Sequence, residues 1–252
     1  MSGGSTRHVE YWEENIPWLF KGESLPYEER RRRRYELQDY MLEVIGFDQH
    51  RSELVLEIGS GSGIDSAEFG REGAQVVSLD FAEAGARATL QTLTEAGVLP
   101  NVIRASAERL PFRDLTFDCV YSFGVLHHTP EVSMAVKEVS RITRPGGSII
   151  CMLYNRASLL YAYSILFLHA GEGLQEEELL RSYSERNLGC PFTKAYTKEE
   201  ACRMFEADYE TTASVHYNVI DVKERRKLKV PIPDKYELGW HIILKGKKRK
   251  VS

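Results

Sequence analysis

The chain has 252 residues, 42% of them hydrophobic and 28% charged, enough for one domain with a sizeable insertion and a proper core. A formal net charge of -4 argues against a general affinity for nucleic acid, which needs clustered positive charge. The four cysteines, Cys119, Cys151, Cys190 and Cys202, lack metal-ligand spacing and suggest neither a metal site nor a disulfide framework. Cys119 and Cys151 lie in apolar strand-like runs and read as buried thiols. The amino terminus is polar, then acidic and aromatic, with no secretory signal. The most apolar stretch, Leu159 to Leu168, is shorter than the ~18 residues that suggest a membrane span. A cytoplasmic enzyme without an integral membrane segment is the expectation; oligomeric state is not readable.

In chain order, residues 1–8 read as a flexible leader. Val9 to Phe20 is rich in aromatics (Tyr11, Trp12, Trp18, Phe20) and is interrupted by Pro17. It is either an arm packed on the core or a lid, for which aromatics supply contact area. The basic run Arg30 to Arg34 follows Glu28 and Glu29 in the order that favours i,i+4 pairs and precedes Leu37, Tyr40, Met41, Val44 and Ile45 at helical spacing. It reads as the solvated opening of an amphipathic helix that Gly46 closes.

Leu54 to Ile58 reads as a short buried strand running into Gly59-Ser60-Gly61-Ser62-Gly63. Ile64 to Arg71 continues as a helix with Ile64, Ala67 and Phe69 inward. Strand, glycine turn and helix N-terminus make a nucleotide pocket at the carboxyl end of a parallel strand. The dinucleotide pattern G-x-G-x-x-G would place its third glycine at position 64, which is Ile64; the spacing here is G-x-G-x-G. Alternation then follows: strand Gln75 to Asp80, helix Ala82 to Ala96, strand Val102 to Ala105, strand Phe117 to Tyr121, helix Glu131 to Ile142, turn Arg144 to Gly147 and strand Ser148 to Leu153. That rhythm means a parallel sheet with right-handed crossovers. Asn155 to Ala195 carries no clear strand. Thr197 and Glu200 form a capping box opening another helix. Thr211 to Val219 and Trp240 to Lys245 read as a closing antiparallel pair separated by a long insert, before a basic tail.

The run Val55 to Gly63, with Glu57 inside the strand, resembles the first motif of the class I S-adenosylmethionine-dependent methyltransferases. Asn101 to Phe112, with Glu108 before Leu110-Pro111-Phe112, is similar to that family's loop beside the adenine. Phe117 to His128 resembles its fourth motif, and Arg144 to Gly147 its turn before the fifth strand. The resemblance is ordered, covers about residues 50 to 155, and has a weaker tail at Leu238 to His241. It implies an α/β, doubly wound, Rossmann-like methyltransferase fold: a mostly parallel seven-stranded sheet with an antiparallel last hairpin. Residues 9–48 would form an N-terminal helical lid, 49–154 the cofactor-binding core, 155–195 an inserted cap and 196–252 the rest of the sheet. It also implies S-adenosylmethionine as cofactor. Glu57, Gly59, Ser60 and Gly61 would hold the methionine moiety, Asp80 the ribose, and Phe81 would pack on adenine. Ala107 and Glu108 would flank the adenine edge, with Ser122 or Phe123 lining the floor. Asp80, about 20 residues after the glycine turn, is placed for ribose hydroxyls and equally for a helix N-cap before Ala82.

Methyl transfer asks chiefly for positioning, worth up to ~7–11 kcal/mol, and for a base when the acceptor is protonated. His127 and His128 are the visible candidates; the alternative is that both are structural. The family's base-modifying members carry an Asn/Asp-Pro-Pro-aromatic box where this chain has Ser122-Phe123-Gly124, so nucleic-acid bases are not expected targets. Aromatics outside the shared core would line the acceptor pocket: Tyr11, Trp12, Trp18, Tyr154 and Tyr196, with Tyr161, Tyr163, Tyr183 and Tyr236 as further cap residues. The expected reaction is methyl transfer to N or O of a small molecule. The alternatives are aminocarboxypropyl transfer or cyclisation releasing 5'-methylthioadenosine, a nicotinamide-dependent enzyme, or a non-catalytic nucleotide-binding module.

Overall fold

A computed structural model describes residues 8–15, 25–184, 189–222 and 226–250. Residues 8–15 form helix α1. Helices α2 (Tyr27–Leu37) and α3 (Met41–Ile45) precede strand β1 (Leu54–Ile58), α4 (Ile64–Arg71), β2 (Gln75–Asp80), α5 (Glu83–Glu95) and β3 (Val102–Arg104). Then come β4 (Phe117–Phe123), α6 (Val132–Ile142), β5 (Thr143–Tyr154), a π-helical stretch (Leu160–Phe167), α7 (Glu176–Tyr183) and α8 (Lys198–Arg203). Strands β6 (Tyr209–His216), β7 (Val219–Val222), β8 (Arg226–Lys229) and β9 (His241–Lys248) complete the described chain.

Seven strands form one sheet in the order β3-β2-β1-β4-β5-β9-β6. The first five are parallel, and β9 runs antiparallel to both β5 and β6. This is the expected doubly wound sheet with its antiparallel last pair. Side chains alternate across it, and both faces are buried. Val55, Cys119, Tyr121, Ile150 and Ile243 pack on one face, with Ile45, Phe47, Phe69 and Ile165. Leu56, Val120, Ile149, Cys151 and Leu244 pack on the other, with Ala135, Val139, Ile142 and Phe205. Each large side chain so buried contributes roughly 1.5–3 kcal/mol, so near-continuous apolar strands suit a sheet covered twice. The strand order reverses between β1 and β4, and the carboxyl ends there open a crevice.

Several elements differ locally from the sequence expectation. Thr143 pairs with Phe117 and Ser148 with Cys119, so Arg144 to Gly147 loops out inside β5 rather than preceding it. The long insert before β9 holds the β7–β8 hairpin, which has no strand signal in the sequence analysis. The predicted first helix is broken at residues 38–40 into α2 and α3, and Gly46, at φ +71°, closes the second part. The arginine run is solvated only in part. Arg32 and Arg33 pair with Glu29 and Glu36 in solvent. Arg31 instead grips Glu68, and Arg34 donates to both Asp65 oxygens at 3.2 and 2.8 Å. Those carboxylates lie on the buried face of α4, where unpaired charge is costly, so the arginines are structural partners. The capping box of α8 is present: Thr197 Oγ1 accepts from the Glu200 N–H, and Glu200 accepts from the Thr197 N–H.

Candidate active site

The glycine turn after β1 is shaped by its neighbours. Gly59 has φ +74°, and a Cβ there would stand 2.2 Å from Val125 Cγ2. The Gly59 and Ser60 amides both donate to the Leu79 carbonyl, at 2.6 and 3.0 Å, which ties the turn to β2. Gly63 serves packing: a Cβ there would meet Thr89 Cα of α5 at 2.7 Å. Ser60 is likewise turned onto Thr89, whose hydroxyl donates to it at 2.8 Å.

Asp80 ends β2 beside this turn and is 3% exposed. One carboxylate oxygen accepts from the Gly61 N–H at 2.9 Å and the other from the Ala82 N–H at 3.0 Å. Burial pushes its pKa up to about 6 despite these hydrogen bonds. A cavity of about 370 Å³ extends from here across the carboxyl ends of β1, β4 and β5 to the start of β9. At the β2 end it is lined by Asp80, Phe81, Ser106, Ala107 and Glu108. Gly59, Gly61 and Val125 form its middle. At the other end stand Gln38, Phe123, Met152, Tyr154 and His241.

Helix α1 borders the same cavity through His8, Val9 and Trp12. The His8 ring stacks on Phe81 at 5.0 Å and accepts from the Trp12 indole N–H at 3.0 Å. Burial, then the neighbouring His128, lowers the His8 pKa to about 4, so the ring is neutral near pH 7. Glu13 fastens the helix: its carboxylate accepts from the Glu83 and Ala84 amides, at 2.6 and 2.9 Å, at the positive end of α5. Of the described residues of segment 9–48, those of α1 and Gln38 reach the cavity, whereas α2 lies against α4.

Not every residue singled out from the sequence meets the cavity. Gly59, Gly61, Asp80, Phe81, Ala107, Glu108 and Phe123 line it. Glu57, Ser60 and Ser122 stand behind it. Glu57 is turned onto the Ser66 hydroxyl inside the α4 interface, where burial raises its pKa well above the usual carboxylate range. Ser122 donates to the Ile58 carbonyl at 3.3 Å and braces β4 against β1. Among the aromatics, Trp12 and Tyr154 line the cavity. Tyr11 is buried against Trp12, and Tyr196 is half-buried on the opposite face of the sheet, so neither ring joins the lining. Tyr161 bonds Glu176 and Tyr183 stacks on His169, while Tyr163 and Tyr236 face solvent. Trp18 lies outside the described residues.

The two adjacent histidines separate clearly. His127 is wholly buried, its ring 3.9 Å from that of Tyr154, and neither ring nitrogen has a hydrogen-bond partner among the described residues. Burial, then its His128 and His241 neighbours, lowers its pKa well below the usual value. His128 lines the cavity, with Nδ1 2.9 Å from the Phe192 carbonyl and the Trp12 ring edge-on at 5.3 Å. The Thr193 hydroxyl at 3.2 Å and the Cys190 thiol at 3.5 Å also face Nδ1, but the nearer carbonyl can only accept, which favours the proton on Nδ1 and the lone pair on Nε2. Sequence reasoning passed over His8, Gln38, Val125, Met152 and His241. Val125, inside the Phe117 to His128 resemblance, and His241, inside the weaker one at Leu238 to His241, are the two that carry a sequence signal.

Residues 56–151 match the methyltransferase domain family. The ubiquinone/menaquinone biosynthesis C-methyltransferase UbiE of Escherichia fergusonii is 35% identical over 112 residues, covering 42% of this chain and 44% of that protein. The chain thus spans a little under half the length of the curated relatives it matches. A Methanosarcina mazei S-adenosylmethionine-dependent methyltransferase superposes with TM-score 0.62 at 19% identity, over 82% of this chain and 98% of its own. The YcgJ protein of Bacillus subtilis superposes with TM-score 0.59 at 17% identity, over 85% and 100%. Among the described residues no helix is long and apolar enough to cross a membrane. Residues 56–151 thus carry a methyltransferase domain, set on a sheet with the fold of the S-adenosylmethionine-dependent methyltransferase it superposes on.

Proposed function

We propose that the protein transfers a methyl group from S-adenosylmethionine to a small-molecule acceptor in the cytoplasm. One observation carries the reading: a single cavity has a nucleoside-type donor set at its β2 end and aromatic rings with an imidazole at its β9 end. The β2 end fits the cofactor. Asp80 offers further carboxylate lone pairs to ribose hydroxyls, Phe81 an aromatic face to adenine, and Ala107 and Glu108 the adenine edge. Gly59 and Gly61 leave backbone without side chains where the methionine portion would lie. Glu57, Ser60 and Ser122 support that turn from behind. Helix α1 acts as the lid, latched by Glu13, and the 155–195 segment as the cap. When bound, S-adenosylmethionine supplies an electrophilic sulfonium methyl.

The acceptor lies over β4, β5 and β9, between Phe123, Met152, Tyr154 and Trp12. His128 is the base, its Nε2 receiving the acceptor's proton, and His127 is structural. The expectation of an N or O nucleophile widens here to carbon, because the UbiE relative is named a C-methyltransferase. His128→Ala is expected to lower kcat by about 10²- to 10⁴-fold and to remove the acidic limb of the pH profile. His127→Ala should destabilise the fold while leaving that limb in place. Equal profiles for both variants would remove His128 from its role.

Binding and product analysis test the whole reading. S-adenosylhomocysteine at about 100 times its Kd should stabilise the protein by ~2.7 kcal/mol, and NAD should not. Turnover should yield S-adenosylhomocysteine by mass; 5'-methylthioadenosine would instead establish transfer of the aminocarboxypropyl chain or cyclisation.

A further inference from the structure

The glycine turn offers a ligand little of its own backbone. The Gly59 and Ser60 amides donate to the Leu79 carbonyl, Gly61 to Asp80, and Gly63 to the Ser60 carbonyl. Ser62 is not part of the cavity lining, and among the described residues that lining holds neither lysine nor arginine. A ligand that lies along Gly59 and Gly61 and ends in a carboxylate must therefore find a neutral donor beyond the turn. Gln38 stands there, half-buried, where α2 gives way to α3.

Its side chain is tethered to the start of α4, just past the turn. Asp65, two residues after Gly63, accepts from Arg34 through both oxygens, at 3.2 and 2.8 Å. It also accepts from the Tyr35 and Tyr121 hydroxyls, at 3.1 and 2.9 Å. So locked, the Arg34 guanidinium lies over the Phe123 ring, 4.6 Å from its centroid, and donates through Nη1 to Gln38 Oε1 at 2.6 Å. A guanidinium only donates, so the amide end facing it is the oxygen, and the Nε2 hydrogens point away from Arg34. Among the described residues nothing accepts from Nε2.

We infer that Gln38 donates from Nε2 to the carboxylate at the methionine end of the cofactor, with Arg34 as its positioning residue. The positive charge behind the amide oxygen draws electron density from the amide and strengthens its N–H donors, which suits an anion. Asp65 holds Arg34 too firmly for the guanidinium to leave and meet the ligand itself, so the amide relays its pull. Gln38 thereby distinguishes a nucleoside with an amino-acid end from one without. The inference rests on the methyltransferase reading and deepens it, naming a cofactor-binding residue in the N-terminal segment, where no motif points.

The test titrates S-adenosylhomocysteine and its decarboxylated form, which keeps the ammonium and lacks only the carboxylate, into the protein by calorimetry. Wild type should bind S-adenosylhomocysteine at least about tenfold more tightly. Gln38→Leu should weaken that ligand by about 10- to 100-fold and leave the decarboxylated one within about twofold, removing most of the preference. Gln38→Glu would set a carboxylate against the ligand's own and should lose the preference entirely. Arg34→Lys keeps a charge beside Asp65 but lacks the fork that also reaches Gln38, so the preference should shrink several-fold. Binding of the decarboxylated ligand shows that each variant is folded. Equal binding of both ligands by wild type, or a preference that survives Gln38→Leu, overturns the inference while the cofactor reading stands. An unchanged preference in Arg34→Lys removes Arg34 from its role. Failure of wild type to bind either ligand overturns both readings.

Discussion

Gly59→Ala is expected to lose about 2–5 kcal/mol of stability and to bind S-adenosylhomocysteine about 10- to 100-fold more weakly. Two costs add. A side chain at φ +74° is strained by roughly 1–2 kcal/mol. The new methyl would also stand 2.2 Å from Val125 Cγ2, and relieving such an overlap typically costs ~1–3 kcal/mol. The backbone must move by about an ångström to reach van der Waals distance. That shift carries the Gly61 N–H away from Asp80, and hydrogen bonds to charged groups are worth roughly 1.5–3 kcal/mol. Pairing Gly59→Ala with Val125→Ala should recover the overlap part and not the strain. Urea denaturation and calorimetry read both effects. An alanine variant with wild-type stability and affinity would refute the role given to this turn.

Asp80→Asn is expected to weaken S-adenosylhomocysteine binding by about 10- to 100-fold at pH 7.5, because a carboxamide cannot accept from both amides and from ribose hydroxyls. The pH dependence gives a sharper test. With its folded pKa raised to about 6 against an ordinary 3.8, Asp80 holds its proton more tightly folded than unfolded. Its contribution to the stability of the unliganded protein is therefore full below about pH 4 and lost as pH rises through about 6, a swing of about 3 kcal/mol. Glu57, raised by burial, acts with the same sign. The difference between wild type and Asp80→Asn is thus the quantity to measure, not either slope alone. Cofactor affinity runs the other way: ribose hydroxyls need a carboxylate, so binding should strengthen as pH rises towards 6 and level off above it. A variant that keeps both pH dependences would show that Asp80 is not the titrating group.

Asp80 and Glu57 also mark what local sequence can reveal. Glu57 lies inside β1 just before the glycine turn and Asp80 ends β2, and the family resemblance implies a cofactor role for both. Only Asp80 lines the cavity. Strand alternation predicts that neighbouring side chains take opposite faces, but it does not say which face carries the ligand and which meets α4. The arginine run shows the same limit, since Arg31 and Arg34 find their partners Glu68 and Asp65 more than thirty residues away.

The sequence by itself determined the alternating α/β order, the glycine turn at the end of β1, Asp80 at the end of β2 and the α8 capping box. Each is encoded by residues within one strand, one turn or one helical turn, where backbone sterics and hydrophobic periodicity act locally. Tertiary structure alone decided that His128 and not His127 lines the cavity, that Glu13 caps a helix seventy residues on, and that Tyr40 reaches His241. It also placed Tyr11 and Tyr196 out of the lining. These outcomes depend on the register of β9 against β5 and on how helices dock across the strand ends, and no spacing within a short segment encodes distances between elements so far apart in the chain.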